Sequence, residues 1–476
     1  MVHRRGALLA LALTGSASGC AEHNPLAASR LARDTTTAIV IAAENQRTGN
    51  ADWSQYATTT SETGAAAFLD RRSALPGDSV HVYGVSPDSE LDIKLFRMGW
   101  YGGTGGRLVL DAGVVPVQPQ GQCTAAVPGP VECDWPVATA FQLPPDAVSG
   151  VYVVRYTDRR GVGNVLPLVV RAAPPTGIVV VLSFNTYQAY NAWGGSGFYD
   201  FDNGVRVPLV SFARPYRPYV IGSHFLSLDV PLVRFLERWH YPVSYAADAD
   251  LDVDPFLAAG SRLLILSGHG EYWTAAMRLH TEQLLQAGTG LAFFGGNDMY
   301  FRVAYEASPS GRLSPVVVCY KLNDDPVSAN GGLGTGRFRD PPYADPENAL
   351  IGVMYAGYSL SRSVPMVVRD TPAEFFHGTG YLVGDSTPVI AGWEGDRIVD
   401  NGHTPRGIKV LFEAHFMSDQ HIPDAMQTTF YVAKSGAGAF AAGTVGWNWG
   451  LNDLGPLPPD ERQERFVRNL LDWYLR

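Results

Sequence analysis

Apolar and polar positions alternate along the first third of the chain, and then the alternation stops. The runs H-V-Y-G-V after P-G-D-S, L-D-I-K-L-F-R-M, V-Y-V-V-R-Y after S-G, and V-L-P-L-V-V-R are short, period-two and separated by Gly, Pro and Asp. Successive side chains of a strand face opposite sides, so the pattern predicts half-buried strands, and several at this spacing predict a β-sandwich. We place that domain, immunoglobulin-like in its expected form, at residues 37–172. Ala172-Ala173-Pro174-Pro175-Thr176-Gly177 follows, and its paired prolines can neither continue a central strand nor enter a helix, so it marks a linker. Beyond it, I-V-V-V-L-S, R-L-L-I-L-S and G-L-A-F-F-G-G are apolar without alternation. Helix-like segments such as V-P-L-V-R-F-L-E-R-W and T-A-A-M-R-L-H-T-E-Q-L-L-Q-A-G lie between them. Such strands are buried on both faces, which predicts a mostly parallel, doubly wound α/β domain over 176–476, flavodoxin- or glutamine-amidotransferase-like. The expected fold class is β + α/β, closed by an amphipathic helix in R-F-V-R-N-L-L-D-W-Y-L-R.

In such sheets ligands bind at the carboxyl ends of the strands. The three apolar runs end in S-F-N-T-Y-Q-A-Y-N, S-G-H-G-E-Y-W and G-G-N-D-M-Y, so three polar, aromatic stretches start from one rim. A nucleophile elbow wants Ser or Cys between glycines. Here His269 holds that place and Ser267 precedes the turn, which argues against a Ser or Cys hydrolase. G-L-G-T-G lies in a polar loop, and no glycine fingerprint follows the first strand, so a dinucleotide site is not indicated. Glu271 has no Lys or Arg beside it, and an unpaired carboxylate near a buried rim is costly, so a positive partner is expected there. With Tyr187 and Tyr190 on the neighbouring stretch, the donors are oxygen-rich. A phenol, with an ordinary pKa of about 10, must lose its proton to bind a metal, which points to Fe(III) before Zn(II) or Mg(II).

Composition narrows the class. Hydrophobic residues make up 46% of the chain and charged ones only 17%, as in globular proteins. The net charge of -10, with no Lys/Arg run after the first few residues, argues against nucleic acid. M-V-H-R-R followed by A-L-L-A-L-A-L and T-G-S-A-S-G-C has the layout of a secretory signal. Ala17-Ser18-Gly19-Cys20 reads as a lipoprotein box. The expectation is a signal peptide over 1–20, a lipid on Cys20 as the only membrane attachment, a tether over 21–36, and an exported protein of the bacterial cell envelope. In that setting Cys123 and Cys133, which flank T-A-A-V-P-G-P-V-E, are expected to form a local disulfide. Cys319, in S-P-V-V-V-C-Y, reads as a buried small apolar residue.

At these residues the chain resembles the large (β) subunit of bacterial N,N-dimethylformamidase, in its central and C-terminal region. The resemblance rests on P-G-D-S-V, R-M-G-W-Y-G-G (Arg97 to Gly103), C-D-W-P and S-G-V-Y (Ser149 to Tyr152) in the first domain. In the second it rests on N-T-Y-Q-A-Y-N-A-W-G-G, G-H-G-E-Y-W-T, G-G-N-D-M-Y-F-R and G-T-V-G-W-N-W-G-L. It implies a mononuclear iron, Fe(III), held by two tyrosines and a glutamate, with a histidine and a glutamate serving catalysis. By motif position Tyr190 is similar to one ligand tyrosine, Glu271 to the ligand glutamate and His269 to the catalytic histidine, with Glu271 also counted in the catalytic pair. For the second ligand tyrosine, Tyr152 is the match, with Tyr156 and Tyr101 as competitors. The family's G-S-H-P-E-Y-W stands here as S-G-H-G-E-Y-W, with Gly270 in place of proline.

The activity this implies is hydrolysis of a non-peptide, formamide-like C–N bond in a small linear amide, with His269 taking the proton of a metal-bound water and returning it to the leaving amine. Asn185, Tyr187, Trp273 and Asn297 are expected around the pocket. A homo-oligomer is considered as the assembly, and the need for a small partner subunit stays open. The rival reading is a non-catalytic exported lipoprotein that binds a glycan or peptide through its aromatic rim. Residues 320–440, with His377, His403, Glu413 and His415, carry no readable signal.

Overall fold

The alternating runs become strands of two packed sheets in the structure, a computed structural model that describes residues 25–125, 129–200, 204–309, 311, 315–321, 325–329, 332–451 and 459–476. One sheet orders Ala66–Leu69, Ser79–Val85 and Val137–Gln142. The other orders Ser73–Ala74, Gly163–Val170, Gly150–Thr157, Glu90–Met98 and Gly106–Pro116. Val80 and Val82 from the first meet Ile93, Leu95, Val151 and Val153 from the second in one core. The strands Gly150–Thr157 and Gly163–Val170 are buried along their whole length. Their outer face lies against the C-terminal part, which explains why V-Y-V-V-R-Y alternates poorly.

The expected signal peptide and Cys20 lie outside the described residues. The tether expected over 21–36 differs: from Pro25 the chain is helical, and the helix runs to Asn45. Proline is well suited to the first helical position, and the alanine-rich stretch after it contains no breaker. A composition that reads as a spacer therefore propagates a helix, whose end buries Ile41, Glu44 and Asn45.

After the loop at 171–177, an eight-stranded sheet forms. Its order is Val243–Ala247, Ile178–Leu182, Leu263–Gly268, Gly290–Gly295, Gly438–Ala441, Pro423–Val432, Lys409–Met417 and Val367–Val368. The first five are parallel and lie in the order 2-1-3-4-5 by chain position; the last three are antiparallel. Alternate residues feed two cores. Val180, Ile265 and Phe294 pack with Val233, Leu236 and Phe466 on one face. Val179, Leu264 and Phe293 pack with Leu251, Met277 and Leu284 on the other. Helices thus cover both faces, as runs without alternation require. The described helix long and apolar enough to cross a membrane, Pro218–Arg238, is mostly buried in the fold and serves this core.

The junction between the two parts is polar. Arg97 donates to Glu237 through both terminal guanidinium nitrogens, at 2.6 and 2.8 Å, and to the Ser149 carbonyl at 2.8 Å. Asn45 adds a hydrogen bond to Glu237 at 2.6 Å, and the Tyr101 hydroxyl donates to Glu44 at 2.7 Å. Both charged side chains of the central pair are fully buried. Removing one partner strands the other charge in a dry site, so Arg97→Met is expected to cost about 3–5 kcal/mol of unfolding free energy. A urea titration tests this, and a loss below about 1 kcal/mol would contradict it.

Candidate active site

The strand order places a switch point between Ile178–Leu182 and Leu263–Gly268, where the chain turns away in opposite directions and leaves a crevice at their carboxyl ends. After the first of these strands the short helix Phe184–Ala189 delivers Tyr190, and Tyr199 follows in the next loop. After the second, Gly268 turns left-handed at φ +76°, where a Cβ would also meet Asp229 Oδ1 at 2.7 Å. That turn aims His269 and Glu271 into the crevice.

Glu271 accepts the Tyr190 hydroxyl at 2.8 Å and the Tyr199 hydroxyl at 2.9 Å, and the two phenol oxygens lie 3.3 Å apart. Tyr272 donates to the Tyr199 oxygen at 2.7 Å. His269 Nε2 is 3.0 Å from Glu394 Oε2 and 3.6 Å from Glu271 Oε2. Asn297 Nδ2 donates to Glu394 at 2.8 Å, and its backbone N–H donates to Asp396 at 2.9 Å. Asn297 holds φ +52°, the left-handed region, which asparagine tolerates better than most residues. His224, on the wider π-helical turn Ile221–Asp229 within the long helix, stacks on His269 with ring centres 5.7 Å apart and planes at 9°. Such π segments often occur at functional sites.

Charge in this site is set by its neighbours. Burial alone would lower His269, but the Glu394 carboxylate, with Glu271 behind it, overcomes that and holds the imidazole up at about 9. Burial pushes Glu394 up, yet His269 and Asn297 bring it below the ordinary carboxylate range. The result is an imidazolium–carboxylate pair. Burial raises Glu271, against the opposing pull of Lys321 and His269. Burial and the Glu271 charge push both Tyr190 and Tyr199 far up, so each phenol keeps its proton and gives it to the carboxylate as a hydrogen bond. Burial drives His224 down to about 3, which leaves it neutral.

Among the described residues no group of three His, Cys, Asp or Glu side chains is arranged to hold a metal ion. The candidate donors are instead the oxygens of Tyr190, Tyr199 and Glu271. They converge within hydrogen-bond distance in a buried pocket, and the protons that now bridge them are those a cation would displace. That donor set fits a hard, strongly Lewis-acidic ion.

The structure brings together His269, Glu271, Tyr190 and Asn297, and sets the other expected site residues elsewhere. Tyr152 is a correction: its hydroxyl donates to the Val148 carbonyl at 2.8 Å, and its charged neighbours are Arg97 and Glu237. Its competitors fare no better, since Tyr101 binds Glu44 and Tyr156 is buried in the sandwich core. The second phenol beside Glu271 is that of Tyr199. Trp273 is also corrected. In the strand Tyr272–Thr274 neighbours face opposite sides, so Tyr272 joins the core beneath the site while Trp273 packs with Phe293 on the far face. Tyr187 donates to Asp229, and Asn185 bridges the Tyr272 carbonyl and the Tyr305 hydroxyl at 3.2 and 2.8 Å, so both brace the rim from behind the pocket. Gly270 has a specific use. Its N–H donates to Asp298 at 3.0 Å, a bond proline cannot make, and a Cβ there would sit 2.4 Å from the same oxygen.

Glu394, Tyr199, His224 and Lys321 escaped the sequence reading. Glu394 begins the short strand Glu394–Arg397 and is pinned at the rim by Val445, whose N–H donates to its carbonyl at 3.1 Å. The unread segment 320–440 thus supplies a central carboxylate. His377, His403, Glu413 and His415 do not line the pocket; Glu413 pairs with Arg369 near the surface. Cys123 and Cys133 are bonded across a two-stranded ribbon. Cys319 is buried, and its thiol is pushed up to about 12, as suits an inert residue.

A cavity of about 940 Å³ opens over this centre, walled by Tyr219, Tyr300, Tyr355, Tyr358 and Trp393. Lys321 reaches in from the side, with Nζ 3.2 Å from the Tyr199 ring centre, and burial lowers its ammonium to about 8.

An imidazolium clamped by carboxylates at the switch point of a parallel sheet, under a deep aromatic cleft, defines an α/β protein equipped for acid–base chemistry. Residues 92–462 match the model of one family, described as N,N-dimethylformamidase beta subunit-like, C-terminal, and the chain belongs to that family of dimethylformamidase-related hydrolases. No relative among curated proteins matches the chain. Among solved structures, it has a likeness to a cycloisomaltooligosaccharide glucanotransferase of Paenibacillus sp. complexed with cycloisomaltoheptaose. The identity is 8% and the TM-score 0.17, over 56% of this chain. The chain spans about a third of that structure's length, 35%.

Proposed function

We propose that this protein is an iron-dependent hydrolase of a non-peptide amide C–N bond. The observation that carries the reading is His269, held 3.0 Å from Glu394 beside a carboxylate that gathers two phenols. Tyr190, Tyr199 and Glu271 would hold the iron. Bound there, Fe(III) would polarise the amide carbonyl and lower the pKa of an attacking water. The remaining work falls to the protein. Glu394, kept ionised by its partners, accepts the water's proton, and His269, already protonated, donates to the departing nitrogen. His269 was expected both to take the water's proton and to return it to the leaving amine; the Glu394 contact favours dividing those two roles between the residues.

Water adds to the carbonyl carbon, the C–N bond breaks, and a carboxylate and an ammonium product result. Asn297 orients Glu394, and His224 packs the imidazole into line. The order 2-1-3-4-5 is that of flavodoxin-like sheets, and the N-terminal sheet pair is read as immunoglobulin-like. The signal-like N-terminus supports export with a lipid on Cys20 in the cell envelope. The family's description as a beta subunit supports a small partner subunit or an oligomer.

The test is elemental analysis with a visible spectrum of the purified protein, followed by an amide panel. One iron per chain, with a tyrosinate-to-iron absorption band lost in Tyr190→Phe, is expected. A protein that stays colourless and iron-free after reconstitution would leave the binding lipoprotein, with its aromatic cleft, as the better reading.

A further inference from the structure

The cavity is too large for the substrate that the family's description suggests. At about 940 Å³ it stands at the upper end of pockets that take drug-sized ligands, whereas a dimethylformamide has only a handful of heavy atoms. Its walls are flat. Tyr300 and Tyr355 meet edge to face with ring centres 5.2 Å apart, and Trp393 is backed by Trp449 at 5.9 Å. Such faces bind planar apolar groups.

The cavity also holds a cation on which the Glu271 charge acts from nearby. Among the described residues this buried Lys321 ammonium has neither a hydrogen-bond acceptor nor a direct ion pair. The two carboxylates whose charge reaches it are engaged elsewhere: Glu394 with His269 and Asn297, and Glu271 with two phenols and His269. A buried, unpaired ammonium is costly, and the Tyr199 ring beneath it offsets only part of that cost. An anion arriving with the ligand would satisfy it. Because Tyr199 itself binds Glu271, that anion must lie close to the reacting amide.

Resting on the amide-hydrolase reading, we infer that the substrate is an amide bearing a carboxylate within a few bonds of the scissile C–N bond and a planar apolar group, with Lys321 receiving the carboxylate. N-acyl amino acids carry the carboxylate on the amine side, and N-aryl oxamic or malonamic acids on the acyl side. For the first class, water adds to the acyl carbon, the C–N bond breaks, and the nitrogen leaves as the ammonium of a free amino acid. One carboxylate is present before the reaction and two after it, balanced by that ammonium.

The experiment compares kcat/KM of the iron-loaded full chain on N-benzoylglycine, N-phenylmalonamic acid, neutral N-propylbenzamide and dimethylformamide. A hydrogen bond to a charged group predicts a preference of about 10- to 100-fold for one carboxylate over N-propylbenzamide. The favoured member tells which side of the bond Lys321 serves. Lys321→Met should bring the ratio near one, and Lys321→Arg should restore part of it. The wild-type ratio stands as evidence even if a variant fails to fold. Equal rates on neutral and charged amides would overturn the inference and leave the hydrolase reading intact. Failure on every amide, with iron bound, would sink both.

Discussion

Glu394→Gln is expected to lower kcat/KM for amide hydrolysis by about 10³-fold while iron content stays at the wild-type level. The substitution keeps the shape and the Asn297 neighbourhood but removes the base. It also removes the charge that does most to hold His269 protonated, so the imidazole should fall from about 9 toward or below its ordinary value. One change then disables the acceptor and empties the donor. The pH profile separates these effects: the alkaline limb, set by the acid form of His269, should move to lower pH in the variant. Activity within tenfold of wild type would show that Glu394 is only a structural partner.

Glu271→Ala is expected to abolish iron binding and activity together. Glu271 is the acceptor for both Tyr190 and Tyr199, so its loss removes one donor and leaves two buried phenols without the group that gathers them. Losing an outer partner of a metal ligand commonly costs 10- to 100-fold in affinity, and losing a ligand should cost at least about 100-fold. Iron per chain and the visible band would fall in parallel, while circular dichroism should report an intact fold. A variant that keeps its iron would mean that the metal sits elsewhere.

These two carboxylates also mark what could and could not be read in the sequence. Glu271 was legible because the run Leu263–Leu266 ends in a turn, and a charge just past a buried strand has few harmless explanations. Glu394 was not. It lies on a four-residue strand paired with Met354–Tyr358, in a stretch with no sustained period, and only the closure of the sheet at Gly438–Ala441 carries it to the rim. Tyr199 sits in a loop, where no periodicity places a side chain. Tyr152 shows the opposite error. Its motif S-G-V-Y is specific for a structural reason, since a Cβ on Gly150 would meet Arg97 Nε at 2.7 Å, and the same Arg97 closes the junction. Motifs that look chemical in one dimension can serve packing in three.

On one side Gly290–Gly295 pairs with Gly438–Ala441, and everything between them in sequence must be set aside before the two can pair. Closing so long a loop is slow, and parallel pairing across it brings its reward late. Tyr190, Tyr199, His269 and Glu271 can therefore assemble early, while Glu394 arrives only with the last parallel strand. If iron binds as proposed, the chain would hold the donors for it before it holds the base, so loading would precede competence.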